Sequence, residues 1–435
     1  MPSPALSHHS MHAIATPQPT LMFAIASDNP EEVRRVLESG EVGPNDEVGP
    51  QSALAFAVGN DKLKHRVDIV KILLAHGADP KGLTLPIGST GSSRRSSAAV
   101  GGTPSAENLS SSSSVLADVL ESMDPATRYY VTRADAAHTR KTSALIHRSF
   151  FRPLTKVRFD IVGQDRAFEQ LFMVLNAHSR MLSVAPIVVL LCGPSGHGKS
   201  LLARKFGNLL DVPTHTVNMT TLRSTHDIWQ SYSMSPYEEP SSYTLTQFLL
   251  ENEGKRCVVV LDEIEKTEDP KALYSLLMPW EIGRCSPQAG DRHIDVRKVI
   301  WIGTSNIGHD TVFQYQSSLS SSNTSTTMSR KDYIRLADML RPKVSDRLGA
   351  SLLSRVTSVL PFIPFSQEEK MAIATEAMYS VGGDVVAKMA VEKLEKLARK
   401  VVKGWFVEEE GARSLYRGVS EVLLDLDEDE DVEED

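Results

Sequence analysis

Cysteine is scarce in this sequence, and its cysteines form no recognisable motif. Cys192, Cys257 and Cys285 are the only three, and none belongs to a CxxC pair. A disulfide framework and a zinc site are therefore not expected. The longest apolar runs fall far short of the roughly 20 residues that a membrane-spanning helix needs. No Lys or Arg precedes Arg34, whereas secretory and mitochondrial presequences carry early positive charge. We expect a protein of a reducing compartment, the cytoplasm, with no membrane partner.

The body of the chain also lacks a strong net charge. The formal charge is −8, and the nine carboxylates of "DLDEDEDVEED" (residues 425–435) account for all of it. The remainder is near neutral, which disfavours nucleic acid as a partner because no basic field would attract it. Residues 425–435 are expected to form a disordered acidic tail, with an interaction tail as the alternative.

A repeat is present near the N-terminus. "TLMFAI" begins at Thr20 and "ALAFAV" follows 33 residues later at Ala53. "VRRVLESG" from Val33 returns as "VKILLAHGADP" from Val70. A period of 33 with paired helices resembles ankyrin repeats, here over residues 18–83. A plain pair of helical hairpins packed on the rest of the chain is the alternative. The Ser/Gly-rich stretch that follows predicts a flexible linker, assigned to residues 84–133.

From about Phe151 the pattern changes to apolar strands that alternate with helical stretches. This alternation predicts an α/β fold with a parallel sheet over residues 151–364. An all-helical region follows at residues 365–424, where Ser366 and Glu369 form a capping-box pattern. The expected strands are "IVVLL" (187–191), "THTVNM" (214–219), "CVVVL" (257–261), "VIWIGT" (299–304) and "VTSVLPF" (356–362).

A phosphate-binding motif lies between the first strand and the next helix. "GPSGHGKS" fits G-x-x-x-x-G-K-[ST], in which backbone N–H groups surround phosphates at a helix N-terminus. Lys199 would neutralise the β and γ phosphates, and Ser200 would ligate Mg²⁺. His197 is expected to be exposed and without a role of its own. The nucleotide-binding loop comprises Gly193, Pro194, Ser195, Gly196, His197, Gly198, Lys199 and Ser200.

Acidic and amide side chains follow two further strands. "CVVVLDE" ends in a Walker B arrangement, where Asp262 would hold Mg²⁺ and Glu263 would act as general base. "WIGTSN" ends in Asn306, which would orient the attacking water from a neighbouring strand.

Together these motifs resemble the AAA+ ATPases, specifically the Clp/heat-shock-100 (ClpB-like) group. "FDIVGQDRAFEQL" is similar to the family's adenine-binding start, which implies that Ile161 and Val162 lie near the base. "GTSNIG" is similar to its sensor 1, and "EEEGARSLYRGV" to its sensor 2, with Arg413 directed to the γ-phosphate. The resemblance implies a P-loop AAA+ sheet with a helical lid, ATP and Mg²⁺ as ligands, and a homo-oligomeric ring, a hexamer as in the family. An ankyrin-containing mitochondrial homologue of animals has a similar arrangement, so a mitochondrial location is the alternative to the cytoplasm.

The family's arginine finger, which acts on a neighbouring subunit's nucleotide, has two candidates. Arg347 lies in "RPKVSDRL" at the family's spacing, and Arg355 directly precedes the last strand. We favour Arg355, because the strand fixes position more firmly than the spacing does.

A loop in the position of the family's substrate-gripping pore loop reads "SMSPYEEPSSY". Tyr237 matches one aromatic of the family pattern, whereas Met234 replaces the other. Both residues are candidates for contact with substrate, and loop packing is the alternative. "RCSPQAGDRHID" (284–295) occupies the place of a second pore loop, and the Ser/Thr-rich segment 317–329 is expected to be a disordered insertion.

Two functions are consistent with these features. The first is an ATPase that unfolds or disaggregates proteins, with clients or adaptors recruited by the N-terminal repeats. The second is a nucleotide-gated scaffold that binds proteins through the repeats and does not thread substrate.

Overall fold

The chain is described here by a computed structural model. It describes residues 20–48, 51–84, 119–135, 154, 156–180, 185–233, 243–286, 292–322 and 328–433. These residues form an N-terminal helical block, an α/β subdomain around a parallel sheet, and a C-terminal helical lid. No helix among them is long and apolar enough to cross a membrane.

The N-terminal block consists of two helical hairpins and one further helix. Asn29 and Ser52 cap the second and third helices by accepting backbone N–H bonds. Both predicted repeats therefore contain paired helices, and their assignment to the ankyrin family stays a prediction. In chain order, the elements are α1 (Leu21–Ala26), α2 (Pro30–Glu38), β1 (Glu47–Val48), β2 (Gln51–Ser52), α3 (Ala53–Val58), α4 (Arg66–Ala75), a 3₁₀ helix (Pro80–Thr84) and α5 (Pro125–Asp135).

Helix α5 corrects the predicted linker of residues 84–133. Ala126, Tyr130 and Val131 are buried in one apolar cluster with both the hairpins and the lid. The last part of the assigned linker is therefore packed, because its apolar side chains are buried against both neighbours. Residues 85–118 lie outside the described residues.

A five-stranded parallel sheet forms the centre of the α/β subdomain. Its spatial order is β4-β5-β8-β3-β9, so the P-loop strand β3 lies between β8 and β9. The strands are β3 (Ile187–Cys192), β4 (Thr214–Asn218), β5 (Cys257–Asp262), β8 (Val299–Ser305) and β9 (Ser358–Pro361), with a separate hairpin of β6 (Arg284–Cys285) and β7 (Ile294–Asp295). The five predicted strands and their parallel arrangement are confirmed.

Both faces of the sheet are covered, which explains why the inner strand β3 is apolar at every position. Val188 and Leu190 of β3 pack into one core, whereas Val189 and Leu191 pack into the other. The surrounding helices are α6 (Val157–Asp160), α7 (Asp165–Arg180), α8 (Lys199–Leu210), α9 (Asp227–Gln230), α10 (Leu245–Glu251), α11 (Leu277–Ile282), α12 (His309–Ser322), α13 (Arg330–Leu348) and α14 (Ala350–Leu353). Short 3₁₀ helices span Met219–Thr221, Ile264–Lys266 and Pro270–Leu276.

The lid contains α15 (Gln367–Ala387), α16 (Val391–Gly404) and α17 (Ala412–Glu433). The predicted capping box is present, since the Ser366 hydroxyl accepts from the Glu369 N–H and the Glu369 carboxylate accepts from the Ser366 N–H. Helix α15 bends at Gly383, which has a φ of 46°.

Two segments expected to be disordered contain helix. The Ser/Thr-rich segment begins within α12, and its Ser329 caps α13 by accepting from the Asp332 N–H. The acidic segment continues α17 as far as Glu433. Extending a helix that is already packed costs less than nucleating one, so composition alone was a poor guide at both sites.

Candidate active site

The P-loop joins the end of β3 to the start of α8 as the sequence predicts. Two of its glycines have positive φ angles and also lie so close to neighbouring backbone that a side chain would not fit. A Cβ on Gly193, at φ of 138°, would lie 2.5 Å from the carbonyl oxygen of Phe362. A Cβ on Gly196, at φ of 70°, would lie 1.8 Å from the carbonyl oxygen of Glu410. The loop is therefore fixed between β9 and the beginning of the last lid helix.

Lys199 is the main positive group of the loop. Its ammonium donates to the carbonyl oxygens of Gly193 at 2.8 Å and Pro194 at 2.6 Å, and to Asn306 Oδ1 at 3.0 Å. Only 6% of the residue is exposed. Burial lowers the pKa of Lys199 to about 8. Phosphate oxygens would favour the charged form, so the buried ammonium is suited to an anionic ligand.

Acidic and hydroxyl groups meet at the end of β5. The Ser200 hydroxyl donates to Asp262 Oδ1 at 3.0 Å, and the Thr304 hydroxyl donates to the same oxygen at 2.6 Å. Thr304 also accepts from the Glu263 N–H at 3.0 Å. Glu263 has a φ of 58°, in the left-handed region, and its carboxylate accepts from Lys266 at 2.8 Å.

Asn306 follows β8, the strand between β3 and β5. Its Oδ1 faces Lys199, and its N–H donates to Glu265 Oε1 at 2.8 Å. The carboxyl ends of three adjacent parallel strands therefore bring Lys199, Asp262 and Asn306 into one site, which is the usual ligand position in such sheets.

The lid contributes Arg413, which lies next to the P-loop. Its Nη1 donates to the Ser195 hydroxyl at 3.2 Å. The Ala412 N–H donates to the carbonyl oxygen of Gly196 at 3.0 Å. The start of α17 is thus joined directly to the loop.

Ile161 and Val162 are buried on another side of the loop. A Cβ on Gly198 would lie 3.4 Å from Ile161 Cγ2, which places this isoleucine against the N-cap of α8. The structure brings the predicted base-side segment to the phosphate motif.

The expectation that His197 is exposed is wrong. The residue is 1% exposed, and its ring stacks on Phe365 with centroids 4.7 Å apart. Its Nδ1 donates to the Ser195 carbonyl oxygen at 2.6 Å. Burial lowers its pKa to about 4, so the ring is neutral at neutral pH. Phe365 comes from a distant part of the sequence, and local polarity therefore gave no sign of this contact.

The two candidate arginine fingers differ in their contacts. Arg355 donates to Glu281 Oε2 at 2.6 Å, whereas Arg347 donates to the carbonyl oxygen of Glu265 at 3.1 Å. The preference for Arg355 stays a prediction. Met234 and Tyr237 lie outside the described residues.

Sequence reasoning missed three polar residues of the site. Thr304 bridges Asp262 and Glu263, and Glu265 holds the backbone of Asn306. Gln164 bridges to Ile363, accepting from its N–H at 3.0 Å and donating to its carbonyl oxygen at 2.9 Å. Thr304 and Glu265 lie next to the motifs in sequence, and this could have indicated their role. Gln164 could not be found in this way, because its partner is remote in sequence.

Comparison with known proteins identifies the class of this site. Residues 188–322 match the family model described as AAA domain (dynein-related subfamily). This part of the chain is therefore similar to an AAA domain. The match to this domain covers the P-loop, Asp262, Glu263 and Asn306.

Relatives of the AAA+ domain occur among Clp chaperones. The chain is 25% identical over 289 residues to the chloroplastic chaperone protein ClpD2 of Oryza sativa subsp. japonica, covering 62% of this chain and 29% of that protein. It is 28% identical over 193 residues to chaperone protein ClpB of Chlamydia pneumoniae, covering 43% of this chain and 21% of that one. The chain thus spans less than a third of either relative. A solved structure of Hsp104 with ATPγS and FITC casein is 19% identical, covers 69% of this chain and 51% of that chain, and has a TM-score of 0.48.

Proposed function

We propose that this protein binds and hydrolyses ATP and uses the energy to remodel other polypeptides. The observation that carries the proposal is the convergence of Lys199, Asp262 and Asn306 at the carboxyl ends of adjacent strands. The relatives named as Clp chaperones support the remodelling part.

ATP would bind with its β and γ phosphates in the P-loop. Lys199 would transfer its hydrogen bonds from the carbonyl oxygens of Gly193 and Pro194 to the phosphates, and Arg413 would approach the γ-phosphate from the lid. The adenine would lie against Ile161 and Val162.

The residues present also fit Mg²⁺. The Ser200 hydroxyl and the Asp262 carboxylate lie 3.0 Å apart, and both are oxygen donors of the kind that Mg²⁺ prefers. Bound with ATP, the ion would neutralise charge on the phosphates.

Glu263 would accept a proton from the attacking water, and Asn306 would orient that water. In this structure the Glu263 carboxylate is paired with Lys266 at 2.8 Å. We therefore expect this pair to open when the general base acts.

In the proposed machine, ATP binding joins subunits into a ring. Arg355 would leave Glu281 and reach the neighbouring subunit's nucleotide, while Met234 and Tyr237 would contact the client in the pore. The N-terminal block would recruit clients or adaptors.

Recovery of an aggregated model enzyme tests this function. We expect the protein with ATP to restore activity to the aggregate, and the protein with ADP to leave it aggregated. The oligomer is measured alongside by light scattering with ATP. ATP turnover by a stable monomer without recovery of the aggregate would favour the nucleotide-gated scaffold instead.

A further inference from the structure

Helix α5 carries a buried arginine, Arg133, which contacts the backbone of the segment around Ile161 and Val162. These two residues are the ones proposed to contact the adenine base. The Arg133 guanidinium donates to the carbonyl oxygens of Ile161 at 2.9 Å and Gly163 at 2.7 Å, and it also donates to that of Arg158. Its remaining donors meet the Asp165 carboxylate at 2.8 to 3.2 Å. The side chain is 4% exposed. One guanidinium thus satisfies three carbonyl groups, one in α6 and two in the non-helical segment that follows it, a task that its planar set of five donors suits.

A second side chain of the same helix acts on the same segment. The Tyr129 hydroxyl accepts from the Gly163 N–H at 2.9 Å. Gly163 has a φ of 73° and Gln164 a φ of 62°, so the backbone here is held in an uncommon conformation. Arg133 and Tyr129 together satisfy both backbone polar groups of Gly163.

Helix α5 is itself held by the lid and the N-terminal block. The Tyr130 hydroxyl donates to Glu376 Oε1 at 2.9 Å, and Lys71 of the second hairpin donates to the same oxygen at 2.7 Å. Arg66 of that hairpin lies 3.3 Å from the buried Asp124, which precedes α5. The position of Arg133 therefore depends on elements outside the sheet.

We propose that Arg133 is a positioning residue for adenine recognition, and that it joins the N-terminal block to the base side of the nucleotide site. The proposal rests on the proposed function, because it takes Ile161 and Val162 as the base-contacting residues. Arg133 holds the backbone of that segment, and no hydrogen bond among the described residues joins it to Lys199, the proposed phosphate-binding residue. It should therefore affect ligands that carry a base and leave bare polyphosphate binding unchanged.

The test compares ATP with inorganic tripolyphosphate, each with Mg²⁺, on the full chain. Arg133→Lys keeps a positive charge, but the three donors of an ammonium cannot serve three carbonyl oxygens and the Asp165 carboxylate together. We expect its KM and Kd for ATP to rise roughly tenfold, the effect of about one hydrogen bond to a charged group. The kcat and the Kd for tripolyphosphate should stay within about twofold of the wild-type values.

Arg128→Lys is the matched control, because Arg128 lies on the same helix and pairs with Glu395 of the lid at 3.0 Å. It should leave both ligands unaffected. Tyr129→Phe provides a milder second variant that removes only the acceptor for Gly163. If Arg133→Lys does not fold, Tyr129→Phe decides the proposal by the same comparison, with a smaller loss of ATP affinity expected.

Equal weakening of ATP and tripolyphosphate would overturn the proposal, as would no change in either. The same loss in Arg128→Lys would also overturn it, because the effect would then belong to the helix in general. If the wild-type protein bound tripolyphosphate but not ATP, or neither ligand, the proposed function itself would fail, and that outcome is visible before any variant is measured.

Discussion

The proposed phosphate side of the site is assembled from strand ends of one sheet, whereas the proposed base side is held by a helix that packs on the lid and the N-terminal block. On the proposed phosphate side, Lys199 donates to Asn306, and Asp262 accepts from Ser200 and Thr304. On the base side, the segment from Ile161 to Gly163 is held through its backbone by Arg133. A side chain that binds phosphate must carry suitable charge or hydrogen-bond donors. The backbone of a binding segment, in contrast, can be held by any element that packs against it.

The largest effect on ligand binding is expected at Lys199, on the proposed phosphate side. Lys199→Ala removes the only ammonium that donates into the P-loop among the described residues. We expect ATP and tripolyphosphate to bind at least about a hundredfold more weakly, because charge-assisted hydrogen bonds to phosphate are lost. Isothermal titration measures both affinities. Retention of tripolyphosphate binding would contradict the placement of the phosphates.

A smaller effect is expected at Thr304, which donates to the Asp262 carboxylate and accepts from the Glu263 N–H. Thr304→Val keeps the shape of the side chain but leaves Asp262 Oδ1 and the Glu263 N–H without this partner. We expect turnover to fall about tenfold and stability to fall by about 1–3 kcal/mol, with ATP affinity almost unchanged.

Steady-state kinetics and urea unfolding measure these two effects. Ser305→Ala is the control on the same strand, since Ser305 accepts from the Ile307 N–H and does not contact either carboxylate in the hydrogen bonds described. A loss of turnover as large in the control would show that the strand, and not the Thr304 hydroxyl, is responsible.

The smallest expected effect is the pH dependence of the phosphate side. Burial holds the pKa of Lys199 at about 8 in the free protein, and bound phosphate would raise it. ATP binding would therefore take up a proton near pH 8, and affinity would fall as pH rises. Between pH 7 and pH 8.5 we expect a loss of about fourfold. Lys199→Arg stays charged over this range and should show a flatter profile, whereas an equal slope in both proteins would assign the dependence to another group.

The lowered pKa of Lys199 also makes the stability of the fold rise with pH, whereas it makes ATP affinity fall. The folded protein binds the Lys199 proton more weakly than the unfolded chain, whose ordinary lysine pKa is 10.5. The unfolded state thus binds more protons between about pH 8 and 10.5, and the penalty from burying this charge is relieved as pH rises through that range.

Sequence reasoning could place Lys199, Asp262 and Asn306 at neighbouring strand ends, because these residues fall in short contiguous motifs. "GPSGHGKS" and "CVVVLDE" each contain the chemistry and the strand that positions it. The parallel sheet followed from the alternation of apolar strands and helices, but the order of the strands did not, because it depends on pairing between distant segments.

The base side and the lid contacts were less accessible to that reasoning. The partners of Arg133 and the ring that covers His197 come from segments remote in sequence, so a local pattern could not reveal them. Composition was misleading for the acidic segment, where α17 continues to Glu433, and for the end of the linker, where α5 is packed.

The most direct test of the account is ATP hydrolysis by the wild-type protein and Glu263→Gln, with ATP affinity measured on both. We expect the wild type to turn over ATP and the variant to lose turnover by about 10²–10⁴-fold, the usual contribution of a general base. ATP affinity should be retained, because Lys199, Ser200 and Asp262 are unchanged. Unaltered turnover in Glu263→Gln would contradict the assignment of the catalytic base and with it the central reading of this site.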